Sequence, residues 1–486
     1  MHRGDDVGSR DVEDLVAALE ALVVLERRVL RLDHRAHRAV RDDDARAQRL
    51  REGPGAGVGE VLRNDGRHAR SVDRVRRGTG SRLSGPTRRA RTAREKHVPD
   101  GVGPPTVVAM SSPSTTDRAE AAPPTLAPIA ERAAAPSTLP PVTAGGLTWR
   151  SATPADAPAL LTLRNDIAEA DDEPYRETLA EIEEIFTAPW RDVAADSIVG
   201  VDTDGTLRAY GMVDTNPGDA RTVRAFLGGG VHPTHRGRGI GREVLAWQVA
   251  RARQVLAASG KELPARLAVF GEDTDPPEKA RLYARFGFVA RRFYSDLRRD
   301  LAAPVPDVPL DGSLRVVPWS AELDEATRLA HNDAFRDHWG SEPRTAEAWT
   351  HGRSEFAPQW SFLVVDDAPD VDALLADPAT DPETAAALRA GEPLVVGYEM
   401  AGRYDEDFPV RGYTFGYTEL LGVRRAYRGR RVAVAALAAA MRAFAADGMQ
   451  YAALDVDTEN PSGAHGLYAS LGYEKVTGSR MYSIEL

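Results

Sequence analysis

Val231-His232-Pro233-Thr234-His235-Arg236-Gly237-Arg238-Gly239-Ile240-Gly241 is the stretch that decides how this 486-residue chain folds. It closes an apolar run over residues 223–231 that reads as a strand. It then turns through arginine and glycine and enters a helix at once, with Ile240, Val244 and Trp247 on one face. A helix start leaves several backbone N–H groups without intrahelical acceptors, and they converge with the positive end of the helix dipole. Strand, glycine turn and helix together make a site for a pyrophosphate, and the glycines let the backbone close on the anion. The candidate binding residues are Val231 at the strand end and Arg236, Gly237, Arg238, Gly239, Ile240 and Gly241 in the turn.

The same arrangement returns as Val423-Arg424-Arg425-Ala426-Tyr427-Arg428-Gly429-Arg430-Arg431-Val432-Ala433. A strand over 413–423 precedes it, and a helix with Leu437, Met441 and Phe444 on one face follows. Val423, Arg428, Gly429, Arg430, Arg431, Val432 and Ala433 are the matching candidates, with Arg431 where the first turn has Gly239. Around both turns the order of elements is the same. Strands are expected at 147–150, 197–201, 208–213, 223–231 and 267–270, then at 314–317, 361–365, 394–400, 413–423 and 452–456. The chain is an internal duplication.

A second signature closes each half: Leu282-Tyr283-Ala284-Arg285-Phe286-Gly287-Phe288 and Leu467-Tyr468-Ala469-Ser470-Leu471-Gly472-Tyr473. The glycine ends a helix and the aromatic residue enters a strand. With the two turns, these motifs resemble the GNAT superfamily of acetyltransferases, whose cofactor motif is Arg/Gln-x-x-Gly-x-Gly/Ala. Arg236, Gly239 and Gly241 match it, as do Arg428 and Ala433, while Arg431 departs from it. The resemblance covers about residues 147–486. It implies an α/β (α+β) fold: two tandem GNAT domains, each a mixed, mostly antiparallel sheet flanked by helices, with acetyl-CoA entering between two splayed strands. It also implies acetyl transfer from acetyl-CoA, as co-substrate, to the primary amine of a small molecule. The closing tyrosine would act as general acid to the leaving thiolate, and a backbone N–H near Val231 or Val423 would polarise the thioester carbonyl.

The amine must lose a proton before it attacks, and family members place a carboxylate on the strand before the turn. The second half offers Glu419 there; the first has Arg224 and Gly228–Gly230 but no acid. Asn460, eight residues before Tyr468, is expected to bind the pantetheine arm, and Asp275 stands at the matching place before Tyr283. Tyr468 as acid and Glu419 as base, in the second half, are therefore the expected catalytic pair. His232 and His235 flank the first turn, and His331 and His338 are expected on a helix of the second half. A lone histidine is more often structural than catalytic, and no His/Asp/Glu set has metal-ligand spacing. A non-catalytic acyl-CoA-binding protein is the alternative, and Tyr468 and Glu419 argue against it.

Composition bounds the rest. There is no cysteine, so disulfides, thiolate metal sites and a cysteine nucleophile are excluded. The net charge of −11 argues against nucleic acid as a general partner. No apolar run reaches a membrane-spanning length and no signal peptide is recognisable, so a cytoplasmic enzyme is expected. Residues 1–109 carry many arginines and little periodicity. They are expected to be disordered or upstream-translated sequence, with Met110 as the natural start. Residues 110–146 read as a Pro/Ala-rich linker, 147–300 as the N-terminal domain, 301–312 as a linker and 313–486 as the C-terminal domain. The acidic stretch 366–392 reads as a solvated loop.

Overall fold

A computed structural model describes residues 126–486, apart from Pro217, Asp337, Trp339 and residues 459–463. The expectations for residues 1–109, for Met110 and for Asn460 lie outside the described residues. The strands are β1 Thr148–Arg150, β2 Ser197–Val201, β3 Leu207–Thr215, β4 Val223–Val231, β5 Ala265–Glu272 and β6 Val289–Asp300. The second set is β7 Leu314–Pro318, β8 Phe362–Asp366, β9 Leu394–Gly402, β10 Phe415–Val423, β11 Tyr451–Asp457 and β12 Glu474–Glu485. The helices used below are α1 Ile129–Ala133, α2 Ala157–Ala170, α3 Ile240–Ala258, α4 Pro277–Arg285, α5 Asp324–Ala334, α6 Ala346–Thr350, α7 Val371–Ala376, α8 Pro382–Ala390, α9 Val432–Ala446 and α10 Ala464–Ser470.

All twelve strands join one sheet in the order β1-β2-β3-β4-β5-β12-β6-β11-β10-β9-β8-β7. Only β4 with β5 and β10 with β11 pair in parallel; the other neighbours are antiparallel. The order has an internal symmetry, and it exchanges strands. β6, which ends the first half, pairs with β11 of the second from Tyr294–Asp457 to Asp300–Tyr451. β12, which ends the second half, pairs with β5 of the first from Glu272–Ser479 to Arg266–Glu485. The halves meet near residue 301 in sequence, yet each half's run of strands is completed by the other half's last strand.

Helices cover both faces. In the second half Gly416 and Gly397 lie under Phe444 and Val432 of α9, whereas Gly422 lies under Tyr398, which clusters with Ala330, Ala334 and Trp349 of α5 and α6. Two stretches expected to be loop or linker are ordered by their own side chains. Within 126–146, Ile129 and Ala133 of α1 are buried against α3, and Arg253 and Gln254 of α3 donate to the carbonyls of Ala133 and Pro136. The apolar residues scattered through that Pro/Ala stretch are enough to seat it. Within 366–392, Asp370 and Asp381 cap α7 and α8, Pro382 takes the first helical position, and Leu388 is buried.

Candidate active site

β4 and β5 stay paired for only four residues, Val223–Phe226 against Ala265–Ala268, and then diverge. Gly228–Gly230 occupy β4 just where it leaves its neighbour. A Cβ at Gly229 would lie 3.1 Å from both Gln248 Oε1 and the Tyr210 carbonyl, and one at Gly230 would lie 2.7 Å from Ile167 Cδ1. Side chains there would fill the opening. The turn that follows is one 3-10 turn, Pro233–His235, and then Gly237 and Gly239 with φ of +76° and +84°. The backbone ladder of α3 begins with Glu243 N–H donating to Gly239 O at 3.2 Å, so the amides before it are left for an anion. A groove of about 420 Å³ opens here. Val231, Gly237, Gly239, Ile240 and Gly241 form one wall, and Val269, Leu282 and Tyr283 the other.

The motif arginines divide their roles. Arg236 also borders the groove, but its guanidinium binds both carboxylate oxygens of buried Asp171, just past α2, and its Nε donates to Val231 O. Arg238 does not line the groove; it bonds the Thr234 carbonyl at 3.0 Å. His232 and His235 share Thr234 Oγ1 through their Nδ1 atoms, at 2.8 and 2.9 Å, and brace the turn.

Tyr283 stands at the inner end of the groove. The helix carrying it ends as expected: Gly287 has φ +88°, and the Phe288 amide donates to Tyr283 O at 3.1 Å. Burial pushes its phenol up to about 12. One turn earlier on α4, Lys279 Nζ lies 2.7 Å from Asp275 Oδ1 and 3.8 Å from Glu173. Burial opposes the charge on Lys279, but Tyr283 and these carboxylates outweigh it and hold the ammonium above its ordinary range. Asp275 also accepts the Glu272 amide, so it fastens the loop before α4. Asp171, Glu173 and Asp275 bring oxygens within 4.8 Å of one another, with Arg236 and Lys279 as their counter-charges.

Beyond Tyr283 lies a second, polar chamber of about 190 Å³. It shares Ile167, Leu227, Gly229, Lys279 and Tyr283 with the groove, so those five residues form the junction. Both halves build its walls. Glu173, Tyr175 and Glu272 come from the first, and Asp407, Arg411 and Asp455 from the second. None of these was singled out from the sequence, because they sit on segments far apart in the chain.

The second half repeats the backbone of the turn. A 3-10 turn, Arg425–Tyr427, is followed by Gly429 at φ +75° and by Arg431 at φ +58°, capping α9. Arg431 thus adopts the left-handed conformation that Gly239 supplies in the first half. Arg428 donates to Ala334 O at 2.8 Å, Arg430 lies over the Tyr427 ring, and Val432 and Ala433 are buried. Val423 is buried at the strand end. The closing turn is also preserved: Gly472 has φ +85°, and the Tyr473 amide donates to Tyr468 O at 2.9 Å.

Glu419 and Tyr468 have different surroundings. The β9–β10 register shifts between Thr418 and Leu420, which leaves Glu419 in a bulge. Its carboxylate accepts the Tyr404 hydroxyl, and it lines a small cavity of about 40 Å³ with Trp349, Phe356 and Met400. Trp349 and Met400 belong to the cluster under α5 and α6, whereas Tyr468 packs in the cluster with Leu437 and Met441 of α9, on the other face. Its ring stands 5.6 Å from that of Tyr473. His331 is buried with Nδ1 2.7 Å from Tyr398 OH, and burial holds it well below its ordinary pKa, as a neutral core residue. His338 lies past the end of α5 rather than on it.

Two family models match the chain: the acetyltransferase (GNAT) domain over residues 195–290 and the acetyltransferase (GNAT) family over residues 337–473. Among curated proteins, a mycothiol acetyltransferase of Thermobispora bispora is 30% identical over 255 residues, covering 52% of this chain and 73% of that protein. A mycothiol acetyltransferase of Gordonia bronchialis is 27% identical over 292 residues, covering 58% and 80%. A solved GCN5-related N-acetyltransferase from Sphaerobacter thermophilus is similar at 24% identity with a TM-score of 0.49, over 72% of this chain and 97% of that one. The chain belongs to the GNAT acetyltransferase family, as a member with two such domains in tandem. Among the described residues no helix is long and apolar enough to cross a membrane.

Proposed function

We propose that this protein transfers an acetyl group from acetyl-CoA to the primary amine of a small molecule, and that the first half performs the chemistry. One observation carries this reading: Tyr283 lines both the groove at the pyrophosphate cradle and the polar chamber behind it. The amide cradle before Glu243 suits the pyrophosphate, and the Gly228–Gly230 floor suits the thin pantetheine arm. The amine, held in the chamber, attacks the thioester carbonyl. A C–N bond forms and the C–S bond breaks. The Tyr283 phenol gives its proton to the departing sulfur, and the proton of the amine passes to the carboxylate side of the chamber, where Glu272 sits on the splayed strand β5. Holding both reactants at one junction supplies the orientation.

Tyr468 as acid with Glu419 as base is the rival proposal, for the second half. Tyr283→Phe and Tyr468→Phe, assayed on the same amine, decide between them. We expect Tyr283→Phe to lower kcat by about 10²–10⁴-fold with acetyl-CoA affinity kept. If Tyr468→Phe is the damaging change, the chemistry belongs to the second half. The two curated relatives favour one particular acceptor reading, a mycothiol acetyltransferase activity, which an assay on that acceptor tests directly.

A further inference from the structure

Resting on that reading of Tyr283 as the acid, we infer that Lys279 is a positioning residue for the transfer: its ammonium is the fixed charge that steadies the Tyr283 phenolate once the proton has passed to the departing sulfur. Lys279 stands four residues before Tyr283 on α4, so the two share one face of the helix, with Cβ atoms roughly 5–6 Å apart. Both line the groove and the chamber, which sets the ammonium at their junction. It is held there by Asp275 Oδ1 at 2.7 Å, with Glu173 at 3.8 Å. Asp275 is itself fixed, because its other oxygen accepts the Glu272 amide at 2.8 Å. Gly271 on β5 leaves the space for it: a Cβ there would lie 2.8 Å from Asp275 Oδ2. The Tyr283 ring is fixed too, its centre 5.4 Å from that of Tyr482 on β12 and 6.1 Å from that of Phe288.

The Tyr283 O–H bond breaks as the S–H bond forms, and the phenolate regains its proton from water after the thiol leaves. In between, a poorly solvated site holds an anion, which is costly without a nearby cation. Burial is the first cause that keeps the proton on this phenol. The Lys279 charge comes next and favours the phenolate, against Asp275, Tyr210 and Glu173. Burial works against the ammonium as well, but Tyr283, Glu173 and Asp275 more than offset it. Lys279 therefore acts as a standing charge rather than as a proton donor. The second half carries Ala464 four residues before Tyr468, so nothing cationic stands at the matching place.

The test is a cycle on the full-length protein: kcat for Lys279→Met, Tyr283→Phe and the double variant, on one amine at saturating acetyl-CoA. We expect Lys279→Met to lower kcat at least about tenfold and Lys279→Arg to restore part of it. Once the Tyr283 hydroxyl is gone, Lys279→Met should cost nothing further. A spectroscopic reading accompanies the rates. 3,5-Difluorotyrosine at position 283, a more acidic phenol, brings the titration into an accessible range, followed by fluorine NMR. Lys279→Met should raise its midpoint by about one pH unit or more, and the fluorinated side chain should return part of the lost kcat. Should Lys279→Met not fold, Asp275→Asn gives the converse: the midpoint should fall. A kcat loss equally large without the Tyr283 hydroxyl, or a midpoint that neither variant moves, overturns the inference and leaves Tyr283 as the acid. If Tyr283→Phe alone leaves kcat unchanged, the reading of the site falls and takes the inference with it; a shifted midpoint then reports a structural ion pair.

Discussion

Arg236 and Asp171 lock the first turn to the end of α2: one guanidinium nitrogen meets each carboxylate oxygen, with the Nη2–Oδ2 contact at 3.0 Å. The arginine of the motif is thus engaged by the protein's own carboxylate and carbonyl. Only a planar fork makes both contacts at once. Arg236→Lys should cost about 1–2 kcal/mol of stability, since buried Asp171 loses one of its two bonds. Urea unfolding reads that loss. Acetyl-CoA affinity should fall only through the loosened turn, by less than about tenfold, which corresponds to roughly 1.4 kcal/mol.

With Tyr283 as the proposed acid, the basic side of the pH profile should stay flat. Its phenol is raised to about 12, first by burial and then by Asp275, with Lys279 pulling the other way. A raised value means that the proton is retained through the whole assay range, whereas an ordinary phenol loses it near about 10. Rates on a fixed concentration of free amine should therefore show no downturn from this residue up to about pH 10.5. A limb near pH 10 that vanishes in Tyr283→Phe would contradict the assignment.

Gly229 and Leu421 hold equivalent places, two residues before the ends of β4 and β10. Leu421 is buried in the core, whereas Gly229 floors the groove. Gly229→Leu should close the first groove and remove at least one equivalent of acetyl-CoA from a calorimetric titration, with a retained cooperative melt showing that the sheet survives. Unchanged stoichiometry would mean that the groove is not the cofactor site.

Arg431 offers a gain. A side chain at φ +58° costs about 1–2 kcal/mol that glycine avoids, and the extra freedom of glycine in the unfolded chain returns part of it. Arg431→Gly should raise stability by roughly 0.5–1 kcal/mol, visible as a higher denaturation midpoint at unchanged m.

Whatever is encoded locally could be read from the sequence. Both glycine turns, both Tyr-to-aromatic closing turns and the duplicated strand order stand where short-range pattern put them, because their φ values and caps depend on neighbours within a few residues. Gly228–Gly230 were legible in part: read as the lack of a base, they are the open floor. The chamber was not legible, since Glu173, Glu272, Asp407 and Asp455 meet only through long-range folding. Nor was the exchange of β6 and β12. An alternating strand carries the same pattern whichever edge it joins, and its partner is a matter of topology. The placing of Glu419 in a bulge turns on a single residue, which no periodicity marks.

The exchange sets a timetable for synthesis. β5 leaves the ribosome early, but the strand that covers its edge is translated about 200 residues later. Until then the first half has an open edge, and β6 waits for β11 as well. Nascent chains must keep these edges from pairing with one another, which is the hazard of any long unpaired strand. Stalling within the second half would therefore release polypeptides whose first half, though fully translated, has no closed sheet on which to assemble its groove.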